Sequence, residues 1–164
     1  MRLSLTEHPG GAAANRVVHE LEDGRTLVWE LGAEEPPNAL LSADVELDRG
    51  EWLMRCDRVD FDPGGVAYRH THPGPGIRYL LFGHITIDSL GAVHTYGPGE
   101  AWFERGPDPV LATTAGDEPT AFVRVMLLPA EWAGKRTIKY VDPADADKPK
   151  TQRAQIFLEQ PVVR

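Results

Sequence analysis

Glycine and proline interrupt this chain so often that they limit what it can fold into. The 164 residues include 16 Gly and 14 Pro, which are spread along the sequence without a period. Proline inside a helix removes a hydrogen bond and clashes with the preceding turn, and glycine weakens a helix interior. Few long uninterrupted segments remain, so the sequence disfavours a helical bundle. The missing period excludes collagen and low-complexity chains.

Short strand-forming segments lie between these breakers. Asp23-Gly24 separates residues 16–21 from 25–30 and is typical of a tight hairpin turn. From about residue 50 to 129, turn signals recur roughly every 8–12 residues, which is typical of an antiparallel sandwich or barrel. Eight to ten strands are expected, and after the hairpin they are predicted at residues 51–61, 66–72, 77–82, 84–88, 92–96, 100–104, 121–128 and 154–159.

The predicted organisation is one all-β domain over residues 1–164. Residues 1–49 form N-terminal strands or an arm, residues 50–129 a barrel, and residues 130–164 a C-terminal arm. The only helix-like segment, residues 143–148, is too short to be more than a turn.

Charge and composition exclude several classes of function. A net charge of −8 argues against non-specific binding to nucleic acid or to an anionic membrane. The single cysteine, Cys56, cannot form an internal disulfide or a cysteine-based zinc site, and is expected to be a small buried hydrophobe. The sequence contains no signal peptide and no apolar run near 18 residues, so a cytoplasmic protein is expected. It also contains no G-x-S-x-G motif, phosphate loop or Cys-x-x-Cys motif, so no nucleotide cofactor is expected.

His70 and His72 are the side chains best suited to chemistry. Residues i and i+2 of a strand point to the same face, so both imidazoles and the Tyr68 ring are expected to aim at one point. Neutral imidazoles bind Zn, Fe, Mn, Ni or Cu. The pair predicts half of a metal site, or a general acid and base that act without a metal.

The stretch from Gly64 to Gly83 resembles the first motif of the cupin superfamily, G-x5-H-x-H-x3-E-x6-G. Gly64, His70, His72 and Gly83 all fit this spacing. The HPGPG and YGPGE turns are also similar to those of small bacterial single-domain cupins. The resemblance covers about residues 50–129. It implies a double-stranded β-helix, which is a jelly-roll barrel with the site inside, and a homodimer paired through N-terminal strands.

The sequence departs from this family at two metal ligands. The family's glutamate falls on Gly76, and the histidine of its second motif, laid from Gly99, falls on Val110. Of the four usual ligands, His70 and His72 remain, and two imidazoles hold a divalent ion poorly without further groups. The candidates to join them are Glu104, Glu100, His94, Tyr96 and Tyr68.

If position 76 faces inward, as the resemblance to the family's glutamate implies, Arg78 faces inward too, because it lies two residues later in the strand. An interior arginine needs a carboxylate, supplied either by Glu104 or by an anionic ligand. Trp102 either packs in the core or lines the pocket, where it would bind substrate together with Tyr68, Arg78 and Glu104.

The resulting hypothesis is a small-molecule enzyme with its site inside the barrel. His70 and His72 would be metal ligands or acid and base, and Arg78 would hold a carboxylate or enolate oxygen. Loss of two ligands favours lyase, isomerase or cyclase chemistry over a metal-dependent dioxygenase. The alternative is a small-molecule-binding or sensor protein without catalysis.

Overall fold

The computed structural model describes residues 1–7 and 14–164, which are mostly antiparallel strands. His8 lies outside the described residues. Two short 3-10 helices occur, at Ala130–Trp132 and Pro143–Asp147, and no helix in the described ranges has the length and apolar character needed to cross a membrane. The strands are β1 (Arg2–Thr6), β2 (Arg16–Glu20), β3 (Thr26–Gly32), β4 (Leu41–Asp44), β5 (Trp52–Phe61), β6 (Val66–Thr71), β7 (Gly76–Phe82), β8 (Ile85–Ser89), β9 (Ala92–Tyr96), β10 (Ala101–Glu104), β11 (Val110–Thr114), β12 (Thr120–Pro129), β13 (Lys139–Tyr140) and β14 (Gln152–Pro161).

These fourteen strands exceed the predicted eight to ten, since β1, β4, β11 and β13 were not expected. The hairpin of β2 and β3 turns at Asp23-Gly24 as predicted, and Gly24 has the positive φ of 83° that the turn requires.

Strands β5 to β12 are connected as a jelly roll. One sheet has the order β10-β7-β12-β5 and the other the order β6-β11-β8-β9, with all pairs antiparallel. Eight strands divided between two sheets in this way form the double Greek key of jelly rolls, including cupins. The predicted double-stranded β-helix is therefore confirmed. At the sheet edges, β14 adds to β5 and β13 adds to β6.

The N-terminal strands form a separate sheet, β2-β3-β1-β4, that covers the outer face of the β10-β7-β12-β5-β14 sheet. Leu5, Leu27 and Trp29 pack in one core with Ile77 and Val125 of the barrel. The Trp29 indole Nε1 donates a hydrogen bond to the Ile77 carbonyl at 3.1 Å. The homodimer implied by the resemblance stays a prediction.

Strands β5 and β12 carry two kinds of side chain on their two faces. Met54 and Cys56 point into the core beneath the N-terminal sheet, whereas Asp57 points into the barrel. On β12, Val125 points into the core beneath the N-terminal sheet and Arg124 points into the barrel. Cys56 is a buried hydrophobe as predicted, and burial raises the pKa of its thiol to about 12.

A β-bulge in β6 corrects one prediction. Three residue steps of β6, from Ala67 to His70, lie opposite two steps of β11. An extra residue in one strand shifts the alternation of its side chains. Ala67 and His70 therefore both line the barrel cavity, but Tyr68 does not, and its ring lies 4.2 Å from the Lys148 Nζ instead. The prediction that Tyr68 shares a face with His70 is wrong.

If the N-terminal sheet is part of the core, Leu27→Ala will lower the free energy of unfolding by about 2–5 kcal/mol, because Leu27 is completely buried. Val18→Ala on the neighbouring strand is the matched control, since Val18 is 55% exposed, and should cost below about 1 kcal/mol. Urea unfolding measures both. Equal, small losses would show that this sheet contributes little to the core.

Candidate functional site

A cavity of about 390 Å³ lies between the two sheets of the barrel. Small-molecule sites commonly measure roughly 300–1,000 Å³. Strand β14 and the loop of residues 134–138 complete its wall. Three of the predicted site residues line it, namely His70, His72 and Glu104.

His70 presents an unshared nitrogen lone pair to this cavity. Its Nδ1 lies 2.7 Å from the Tyr68 carbonyl oxygen, and a carbonyl can only accept, so Nδ1 carries the proton of the neutral ring. Nε2 is then the acceptor nitrogen, and no residue within 1–7 and 14–164 hydrogen-bonds to it. Burial lowers the pKa of His70 below its usual range, which keeps the ring neutral.

His72 is held by partners on both of its nitrogens. Arg124 Nη1 lies 3.4 Å from His72 Nε2 and can only donate, so Nε2 accepts and Nδ1 donates to Thr137 Oγ1 at 3.1 Å. Burial first, and the Arg124 charge second, hold the pKa of His72 well below its usual range. The His70 and His72 rings meet edge to face at 4.9 Å.

Arg124 is itself fixed by Asp57. Its Nε and Nη2 donate to the two carboxylate oxygens at 2.6 and 3.2 Å, a bidentate pair with side chains only 8% and 3% exposed. These bonds and the contact with His72 use three of the five N–H groups of the guanidinium. No residue of the described ranges takes the other two N–H groups, which can donate to a ligand.

Arg78 is completely buried and does not line the cavity itself, but it pairs with Glu104, which does. Its Nη2 is 2.7 Å from Glu104 Oε2, at an angle too poor for a hydrogen bond, and its Nη1 donates to the Gly76 carbonyl at 2.7 Å. Burial lowers the pKa of Arg78 to about 10, against the opposing effect of Glu104. Of the two partners considered for Arg78, the structure shows the internal carboxylate.

Trp102 packs in the barrel core, where its ring stacks on Tyr96 at 4.9 Å. Its indole Nε1 donates to Glu104 Oε1 at 2.8 Å. Both oxygens of Glu104 are therefore engaged within the protein.

The residues present do not fit a metal ion. Of the candidates to complete the site, only Glu104 lines the cavity; Glu100 and His94 are exposed, and Glu100 accepts a hydrogen bond from the Gly97 backbone. Within the described parts of the chain, no three His, Cys, Asp or Glu side chains converge as metal ligands would. His72 Nε2 already faces a guanidinium, which would repel a cation there.

The close packing of β12 explains why glycine stands where the cupin motif has glutamate. A Cβ on Gly76 would lie 2.5 Å from the Val125 carbonyl oxygen and 2.9 Å from Met126 Cγ. The backbone of β12 therefore occupies the space that a side chain at position 76 would need.

Three further charged side chains line the cavity that were not predicted from the sequence, namely Arg55, Asp57 and Arg124. A signal was present for Arg124, which is the one charged residue of the otherwise apolar β12. Strand β5 carries four charged residues, Arg55, Asp57, Arg58 and Asp60, so its sequence does not single out the two that face the cavity. Arg55 holds the covering loop by donating to the Trp132 and Lys135 carbonyls at 2.5 and 2.7 Å.

The cavity wall is rich in cations although the whole chain is acidic. Five cationic and two anionic side chains line it: Arg55, Arg124, Lys135, Arg136 and Lys150 against Asp57 and Glu104. With neutral histidines, the excess positive charge favours an anionic ligand.

No family model matches the sequence, and no curated protein matches it. Among solved structures, an RmlC-like cupin from Shewanella frigidimarina aligns at 17% identity and a TM-score of 0.43, covering 48% of this chain and 68% of the other. The polyketide cyclase RemF from Streptomyces resistomycificus aligns at 20% identity and a TM-score of 0.44, covering 57% of this chain and 62% of the other. KdgF from Halomonas aligns at 24% identity and a TM-score of 0.39, covering 53% of this chain and 84% of the other. This chain therefore spans less than two thirds of the cyclase. At these values the likeness extends no further than the fold.

Restoring the glutamate of the motif will not restore a metal site. Gly76→Glu is expected to give no thermal shift with Zn²⁺, Mn²⁺ or Ni²⁺, and Gly76→Ala alone should destabilise the fold by about 1–3 kcal/mol through overpacking. Gly116→Ala is the matched control, because a Cβ there meets no atom within 4 Å. A stable Gly76→Glu protein that melts several degrees higher with metal would contradict this account.

The neutral histidines make stability depend on pH in a defined direction. The native state resists protonation of His72, whereas the unfolded chain takes up that proton near pH 6.5, so stability is complete above about pH 7 and falls below it. Between pH 7.5 and 5.5 the loss from His72 is about 1.4 kcal/mol, because the unfolded chain takes up the proton over this range and the native state does not. Urea unfolding of His72→Gln should show a weaker pH dependence by this amount, and the exposed His94→Gln should not.

Proposed function

We propose that this chain, which has the cupin fold, is a small-molecule enzyme that transfers a proton inside its barrel with His70 as the base and without a metal ion. The observation that carries the proposal is the unshared lone pair of His70 Nε2 in a cavity of positive character. The Tyr68 carbonyl fixes both the tautomer and the direction of the ring.

His70 has the properties that general-base catalysis requires. A base must be unprotonated at the working pH, and burial of His70 ensures this. Its acceptor nitrogen must be free to reach the substrate, and none of the residues that the structure describes occupies Nε2. Positioned acid–base groups accelerate proton transfer by roughly 10²–10⁴-fold.

Arg124 would stabilise the negative charge that develops when the proton leaves. It offers two unused N–H groups, and Asp57 holds it rigidly beside the histidine pair. Fixed donors aimed at a developing oxyanion lower the barrier without reorganising. In this proposal Arg124 has the role that the sequence suggested for Arg78, and Arg78 positions Glu104.

Removal of a proton next to a carbonyl group, with the enolate held by a cation, is a step shared by many lyases, isomerases and cyclases. These classes suit the site better than a metal-dependent dioxygenase, whose metal the donor set does not fit. The substrate is a carboxylate or carbonyl compound, in keeping with the cationic lining.

A second candidate is binding without turnover. It is favoured by the engagement of both carboxylates of the cavity, Asp57 with Arg124 and Glu104 with Arg78, which leaves neither of them free as a general acid. Such a protein would bind the same anionic compounds.

Proton exchange tests the proposal directly. In D₂O, 2-oxobutanoate, 2-oxooctanoate and 4-phenyl-2-oxobutanoate are each incubated with the protein, and loss of the C3–H signal is followed by proton NMR. The native protein should accelerate exchange of at least one compound. His70→Asn, whose amide can still donate to the Tyr68 carbonyl, should lower that rate by about 10²–10⁴-fold.

Two controls separate the alternatives. His94→Gln changes an exposed histidine and should exchange at the native rate, and EDTA should have no effect on the native protein. Exchange that persists in His70→Asn, or that EDTA abolishes, would refute the metal-free histidine base. Binding of a probe without exchange would support the second candidate.

A further inference from the structure

The pairing registers of the barrel strands divide the cavity wall into a charged half and an apolar half. On β5 and β12, Asp57 pairs with Arg124 at one level, and Val59 pairs with Phe122 two residues further along. Because inward residues recur every second position, charge at one level is followed by hydrocarbon at the next.

The opposite sheet also changes from polar to apolar side chains along its strands. His70 pairs with Val110 on β11, and beyond the bulge Ala67 pairs with Ala112, which also pairs with Ile87 of β8. The histidines therefore face the ionised half of the cavity, and small apolar side chains face the other half.

Hydrocarbon side chains dominate the apolar half, and Gln152, which pairs with Phe61 on the neighbouring strand, is a polar exception at its end. The six side chains from the two sheets that form it share one property, which is that they have no hydrogen-bonding group: Val59, Phe61, Ala67, Ile87, Ala112 and Phe122. The two phenylalanine rings, with centroids 6.0 Å apart, lie on one sheet and the two alanines on the other. Large side chains facing small ones leave room that an apolar group can fill.

We infer that the ligand of this cavity is amphipathic, with an acidic carbonyl-bearing head at His70 and Arg124 and an apolar body between the phenylalanines and the alanines. This inference rests on the proposed function for the position of the head. It adds the substrate class, which is an aliphatic or aryl carboxylic acid rather than a small polar acid such as a dicarboxylate. Burial of the body provides affinity, while the head provides orientation.

Calorimetric titration with five acids, namely acetate, butanoate, hexanoate, octanoate and malonate, tests the inference without requiring turnover. Octylamine, a cation with an apolar chain of similar length, is titrated as the probe of the head group. Affinity is expected to rise by roughly fourfold per added methylene until the apolar half is full. Malonate, with a second charge and no apolar body, should bind no better than acetate.

Filling the apolar half should remove this dependence on length. In Ala112→Phe the octanoate affinity should fall to that of butanoate, while acetate binding is unchanged, and Ala67→Leu on the neighbouring strand provides a second variant should the first fail to fold. Ala92→Phe on the exposed β9 is the matched control and should retain the native series. His70→Asn should shift all the acids equally.

The outcomes separate this inference from the proposed function. Four results would each overturn the amphipathic ligand. Affinity could stay flat with chain length or be tightest for malonate. Octylamine could bind as strongly as octanoate, or none of the five acids could bind at millimolar concentration. A rising series together with unchanged proton exchange in His70→Asn would uphold the ligand class and refute the histidine base.

Discussion

The structure depends on one sheet that is buried on both faces. Strands β5, β7 and β12 pack hydrocarbon against the N-terminal sheet on one side and enclose the cavity on the other. A strand in this position has no solvent face, so an inward charged side chain is costly unless an opposite charge inside the protein replaces its contact with water. This constraint explains why the charged side chains of the barrel occur as pairs, and why their partners come from neighbouring strands.

Three guanidinium–carboxylate pairs meet this constraint: Arg55–Glu159, Arg78–Glu104 and Arg124–Asp57. Buried pairs of this kind contribute little net stability, because the cost of removing two charges from water offsets their attraction. A fold that needed only stability would be served as well by hydrocarbon. Each pair instead fixes something that the cavity uses: Arg55 the covering loop, Arg78 the carboxylate of Glu104, and Arg124 the histidine pair.

The turn chemistry made much of the barrel predictable. Asp23-Gly24 and the glycine and proline turns from residue 62 to 99 separate strands close to where the sequence places them, and His70 and His72 do share the cavity. Tyr68 was misplaced because a bulge is a property of strand pairing, and nothing local in β6 marks it. The Arg124–Asp57 pair joins residues 67 positions apart, so only the register of β5 with β12 brings them together.

The substitution of a guanidinium for a metal changes what the imidazoles can do. A bound metal takes the lone pair of a ligating histidine, which then cannot accept a proton. Arg124 supplies a positive charge to the site while occupying only His72, so the Nε2 lone pair of His70 stays available. Asp57 also holds the cation in place through two hydrogen bonds. The pair of histidines thus divides into one that orients a cation and one that can act as a base. The backbone of β12 reinforces this division, because the same strand that carries Arg124 excludes a side chain at Gly76.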